Sequence, residues 1–123
     1  MKVHYVRLYS DEKGESHFAD EEAEAKPSNF APPAPPLCTT VPVPMKQFLF
    51  LVAPPGWHGD WHPAPHKQFM ILVSGEVQTA VSDGEVRRFR QGDVVLLEDT
   101  SGKGHTTQSV DGNAILAVSQ LSG

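Results

Sequence analysis

The chain is short of cysteine. Its one thiol, Cys38, cannot form an intrachain disulfide, so a reducing cytoplasmic setting is expected. Cys38 sits in a proline-rich stretch with no neighbouring histidine or other base, which argues against a nucleophile. Long apolar runs are missing too. None reaches the ~20 residues that a helix needs to cross a bilayer. The opening MKVHYVRLYSDEKGES lacks the charged-then-apolar order of a signal peptide. An untargeted protein with no membrane partner is therefore expected. Basic charge is scarce: 10 Lys and Arg stand against 15 Asp and Glu, a formal net charge of -5. That disfavours nucleic acid, because a phosphate-binding surface needs clustered Lys and Arg. Arg87, Arg88 and Arg90 form the one dense basic run, and it falls in a strand pattern as a solvated face. There is no glycine-rich phosphate cradle before a helix, no Gly-x-Ser-x-Gly elbow and no cysteine pair for zinc.

What is present is a succession of short strands. The length of 123 residues is enough for one domain with one core. Val3 to Leu8 is strand-like, Asp11 to Gly14 is a turn, and Asp20 to Glu24 reads as a solvated acidic loop. From Lys26 to Pro44 proline dominates, which excludes a helix or a central strand. Phe30, Leu37, Val41 and Val43 still need cover, so this segment is expected to lie as an extended arm on the domain or on a partner subunit. Residues 46–53, 69–74, 76–82, 85–90, 93–98, 105–110 and 114–121 read as strands. Asp83-Gly84 is the strongest hairpin signal between them. No amphipathic helix interrupts the series. An all-β sandwich or barrel follows, with residues 1–44 as N-terminal strand and arm and residues 45–123 as the barrel proper. Strands 46–53 and 69–74 are apolar on both faces. They need a second layer, and a homodimer is one way to supply it.

The stretch GWHGDWHPAPHKQFMILVSG, residues 56–75, concentrates the residues with chemical potential. Pro63 and Pro65 favour an extended chain. In a strand, alternate residues share a face. His62, Ala64, His66, Gln68 and Met70 would then point into the barrel together. A proline-driven three-residue repeat would instead rotate His62 away from Gln68 and leave His66 at the surface. His105 follows Gly102 and Gly104, which permit a tight inward turn. His58 is a loop histidine beside the site. Trp61 is a candidate wall at the barrel mouth.

The spacing of these residues resembles the cupin superfamily. Its first motif runs Gly, five residues, His, one residue, His, three or four residues, Glu, six residues, Gly. Gly56, His62, Gln68 and Gly75 fall at those spacings, with Ala64 in place of the second His and Gln68 in place of Glu. The second motif is matched by Gly92, then Glu98 where Pro is expected, then Gly102 and His105, with Ser109 near the Asn position. WHPAP and GDVVLLEDTSGKGH look like a small cupin subgroup of mostly unassigned function. The resemblance implies a single-domain jelly-roll barrel (a double-stranded β-helix), usually dimeric, often holding one divalent metal.

On that resemblance His62, Gln68 and His105 are the candidate metal ligands. The ion would be Fe, Mn, Ni, Zn or Cu. Gln68 offers an amide oxygen but no charge. Glu98 would restore the charge if it turned inward, as the strand phase of Val94 and Leu96 would carry it. Its other role is to satisfy backbone donors of the next loop. Two readings follow. One is a metal-dependent enzyme acting on a small organic molecule, with His66 or Glu98 moving protons. The other is a metal-free, non-catalytic ligand-binding barrel, a sensor or carrier, lined by the same residues with His58, Trp61, Ala64 and Met70.

Overall fold

The computed structural model describes residues 1–123. It contains no helix, and so none long and apolar enough to cross a membrane. Nine strands occur: β1 Lys2–Ser10, β2 Ser16–Glu24, β3 Lys26–Ser28, β4 Leu37–Thr39, β5 Met45–Ala53, β6 Gln68–Val81, β7 Val86–Phe89, β8 Val94–Leu97 and β9 His105–Leu121. Seven of them form one sheet in the order β2-β1-β8-β6-β9-β5, with β7 on the free flank of β6. The all-β jelly-roll barrel expected from the sequence is the fold observed.

Closure depends on two long strands that bend together. The first half of β6, Gln68 to Leu72, pairs with Leu116 to Gln120 of β9. Its second half, Glu76 to Val81, pairs with His105 to Val110. The register shifts between, at Leu72, Ser74 and Glu76. Gly75 makes the corner possible. It has φ of +78°, and a Cβ there would overlap the Asn113 carbonyl and Ala114. The opposing corner on β9 uses Asp111 and Gly112, both at positive φ. Residues 69–74 and 76–82, and likewise 105–110 and 114–121, read above as separate strands, are thus one bent strand in each case.

Alternation then sorts the faces. Leu8, Val95, Leu97, Leu72, Leu116 and Val118 point inward and belong to a single buried cluster. Phe48, Phe50, Val52 and Ile71 stay exposed on the outside, and the far edge of β5 has no neighbour.

Two parts of the N-terminal half differ from the sequence reading. The acidic stretch is not a loop: Asp20 to Glu24 belongs to β2, where Asp20, Glu22 and Glu24 take the exposed turns of the alternation. Backbone pairing with β1 along its whole length outweighs the low strand propensity of carboxylates. Within residues 1–44, read above as strand and arm, β1 pairs in parallel with β8 inside the barrel sheet. The proline-rich segment forms a small hairpin of its own, with Lys26, Pro27 and Ser28 facing Thr39, Cys38 and Leu37. No arm extends from the barrel there.

Candidate functional site

Residues 54–67 run along the first half of β9 and close one side of the barrel. Two isolated bridges pin them, His58 to Gln108 and His62 to His105. At the second bridge the His62 amide donates to the His105 carbonyl at 3.1 Å, and the His105 amide returns the bond at 3.0 Å. Gly104 allows this approach. Its φ is +72°, and a Cβ on it would overlap the His62 carbonyl.

The bridge sets the two imidazole rings side by side, with centroids 5.0 Å apart. Each ring is held by its Nδ1. That of His62 donates to the Asp60 carbonyl at 2.7 Å. That of His105 donates to Asp99 Oδ2 at 2.6 Å. Carbonyl and carboxylate oxygens only accept, so in the neutral rings both Nε2 atoms carry lone pairs. Asp99 is wholly buried, and its other oxygen, Oδ1, has no hydrogen-bond partner. An inaccessible carboxylate is retained where it has a partner to orient.

The rings look into a cavity of about 310 Å³. Twelve of its 18 lining residues are hydrophobic, and none is Lys, Arg, Asp or Glu. Gln68, Thr79 and Thr107 supply the remaining side-chain polar groups. The two threonine hydroxyls share a hydrogen bond at 3.0 Å. Gln68 is tied into an amide ladder: Gln120 Nε2 donates to its Oε1 at 3.1 Å, and Gln47 Nε2 donates to Gln120 Oε1. Gln68 and Gln120 are both buried. The oxygen of Gln68 accepts that one bond, and its Nε2 finds only the weakly accepting Met70 Sδ, 3.8 Å away.

His62, Gln68, His105 and Met70 thus line one cavity. The others do not. His66 is exposed, because the chain bends at Pro65 and His66 and enters the strand only at Gln68. Glu98 has the phase of Val94 and Leu96, as expected, but that phase is the outer one. Its carboxylate pairs with Arg7 of β1. Neither His66 nor Glu98 lines the cavity, where the proton-transfer roles expected of them would have placed them. His58 and Trp61 are exposed off the cavity, and Ala64 is core. Trp57 lines the mouth instead of Trp61. Asp99 escaped the sequence reading, since a lone Asp after DVVLLE looks like a loop residue. Its spacing of six residues from His105 carries no motif.

Do these residues fit a resident metal? Two imidazoles with Nδ1 held and Nε2 free have the outer contacts of metal-bound histidines. They are half of a four-donor set. No group of three His, Cys, Asp or Glu is placed to hold a metal ion. Gln68, expected as the third ligand, is neutral and gives one lone pair of its oxygen to Gln120. The donor set present does not fit a tightly held divalent ion.

A second imidazole–carboxylate cluster lies elsewhere. His17 on β2 contacts Asp11 Oδ2 through Nε2 at 2.7 Å and Asp83 Oδ2 through Nδ1 at 2.8 Å. It joins the β1–β2 turn to the β6–β7 hairpin. The hydrogen bond to Asp11, and then that to Asp83, raises the His17 pKa above its ordinary value. Asp11 is lowered chiefly by His17. Asp83 is lowered first by the Glu85 amide.

No protein-family model matches the chain, and no curated protein does. The solved structures similar to it include the following two. One is protein NMB1881 from Neisseria meningitidis, at 17% identity over 61% of this chain and 72% of that one, with a TM-score of 0.49. The other is a Cupin 2 conserved barrel domain protein from Salinispora arenicola CNS-205, at 25% identity over 81% of this chain and 76% of that one, also with a TM-score of 0.49. At these scores the barrel rests on the chain's own strand pairing.

Proposed function

We propose that the chain is a metal-free, non-catalytic barrel that binds a small, largely apolar organic molecule, as a sensor or carrier. The observation that carries this reading is the cavity: about 310 Å³, apolar along most of its wall, with polar atoms gathered at His62, His105 and Gln68. Ligand pockets have this composition, and a dry cavity of about 150 Å³ already admits benzene. The two imidazoles orient a guest, and the walls exclude water from its apolar part.

Titration of the labelled protein with toluene tests the reading. The methyl resonances of Leu72, Val77 and Leu116 are expected to shift, and to stop shifting in Val77→Phe, which fills the space. Unmoved methyls in the wild type would dismiss it. The metal-dependent alternative keeps one observation in its favour, the held Nδ1 and free Nε2 of both rings. Protein purified without a histidine tag, incubated with Fe, Mn, Ni, Zn or Cu and desalted, is expected to retain none of them stoichiometrically. Stoichiometric metal that disappears in His62→Ala with His105→Ala would reinstate that alternative.

The outer face argues for a homodimer. Phe48, Phe50 and Val52 project from an edge strand whose far side is unpaired, and a second copy brings an identical apolar edge to cover it. Sedimentation of the wild type against Phe48→Asp with Phe50→Asp decides this. A wild-type monomer would refute it.

A further inference from the structure

We infer that the cavity selects neutral ligands whose polar head donates hydrogen bonds, a hydroxyl or a carboxamide, and rejects carboxylates and phosphates. This deepens the ligand-binding reading above and rests on it.

Three observations lead there. The Nδ1 atoms of His62 and His105 are spent on Asp60 and Asp99, so with the rings neutral the cavity meets two Nε2 acceptors. No Lys or Arg lines the wall, so an anion entering it would face lone pairs without a counter-charge. Burying such a charge in an apolar site is heavily unfavourable. The amide ladder settles the third polar position. Gln120 donates to the Gln68 oxygen, and the Gln68 NH2, with only the Met70 sulfur near it, is left to donate. A buried amide whose orientation was free would offer either end. Here Gln47 and Gln120 hold it in a ladder from the next two strands.

Beside the mutually bonded Thr79 and Thr107 hydroxyls, the wall therefore holds two ring acceptors and one amide donor in apolar surroundings. A carboxamide carries the complementary set, an NH2 that donates and an oxygen that accepts. A hydroxyl does both with one atom. A carboxylate only accepts, and a ketone likewise. Asp99 is the positioning residue behind this preference. It fixes the His105 proton on Nδ1 and so keeps the acceptor turned to the ligand. Substitution of Asp99 by Asn removes the obligation, because an amide can face Nδ1 with either its oxygen or its NH2.

Calorimetric titration uses five probes built on one ring: benzamide, benzyl alcohol, acetophenone, toluene and benzoate. Benzamide and benzyl alcohol are expected to bind about tenfold more tightly than acetophenone, which one well-placed hydrogen bond supplies. Benzoate is expected not to bind. His62→Phe, at an exposed position, and Asp99→Asn should each shrink the donor preference, read as the ratio of benzamide to acetophenone affinity, severalfold. Heteronuclear NMR of the imidazole nitrogens should show His105 protonated at Nδ1 in the wild type and mixed in Asp99→Asn. Benzoate binding as tightly as benzamide, or acetophenone equalling benzamide while toluene still binds, overturns the inference and leaves the cavity reading intact. Failure of all five probes, toluene included, removes both.

Discussion

His105 Nδ1 lies 2.6 Å from Asp99 Oδ2, and His17 Nε2 lies 2.7 Å from Asp11 Oδ2. The contact distances are alike; the surroundings are not. Asp99 and His105 are 0% and 5% exposed. His17 and its two carboxylates keep between a quarter and a third of their side-chain surface in water. Solvent screens the outer cluster, so what it contributes is modest and follows pH. The inner pair has no water to replace a lost partner, so its geometry dictates which ring nitrogen faces the cavity. Distance alone does not rank the two.

The largest way to break the inner contact is at the backbone that presents it. Gly104→Val places a β-branched side chain at φ of +72° and against the His62 carbonyl. A loss of about 3 kcal/mol or more is expected in urea unfolding, together with loss of toluene binding. A variant as stable as the wild type would show that the His62–His105 bridge is not needed. Next in size is Asp99→Ala. It leaves a buried imidazole N–H without an acceptor, at a cost of about 1–3 kcal/mol. Asp83→Ala at the outer cluster is expected to move the unfolding midpoint much less. Equal shifts would erase the distinction between the two sites.

The smallest effect sharpens the comparison through pH. The ordinary values are 6.5 for the imidazole and 3.8 for each carboxylate. The His17 value is raised in the fold, so its stabilisation is complete below 6.5 and fades as pH climbs through the raised value. Asp11 and Asp83 are lowered, so theirs is complete above 3.8 and fades as pH falls through the lowered values. Between those limits the cluster is fully formed. The Tm of the wild type should therefore exceed that of His17→Gln most clearly near pH 5–6, with the gap closing toward pH 9. Parallel Tm curves across that range would deny the cluster any linkage.

Much of the barrel was legible before any coordinates. Alternation at Glu76 to Ser82, the Asp83-Gly84 hairpin and the absence of helical periodicity each report local physics, and each corresponds to the structure. The acidic run Asp20 to Glu24 was not legible, because its pairing with β1 is a property of two segments. Glu98 shows the limit most clearly. Period-two alternation groups it correctly with Val94 and Leu96, yet alternation cannot say which group faces in. Arg7, 91 residues away, is what receives it. Asp99 and the Gln47–Gln120–Gln68 ladder were invisible for the same reason, since their partners lie on other strands.

The sequence by itself determined that this chain makes strands, where its tight turns fall, and that histidines at 62 and 105 follow segments able to turn sharply. Those are consequences of side-chain period and of what glycine and proline permit within a few residues. Only the tertiary structure decided that His66 and Glu98 face away, that Asp99 stands behind His105, and that Gln68 offers its nitrogen. Each of those outcomes depends on which strand lies alongside, and a hydrogen bond across a barrel leaves no local trace in the chain that makes it.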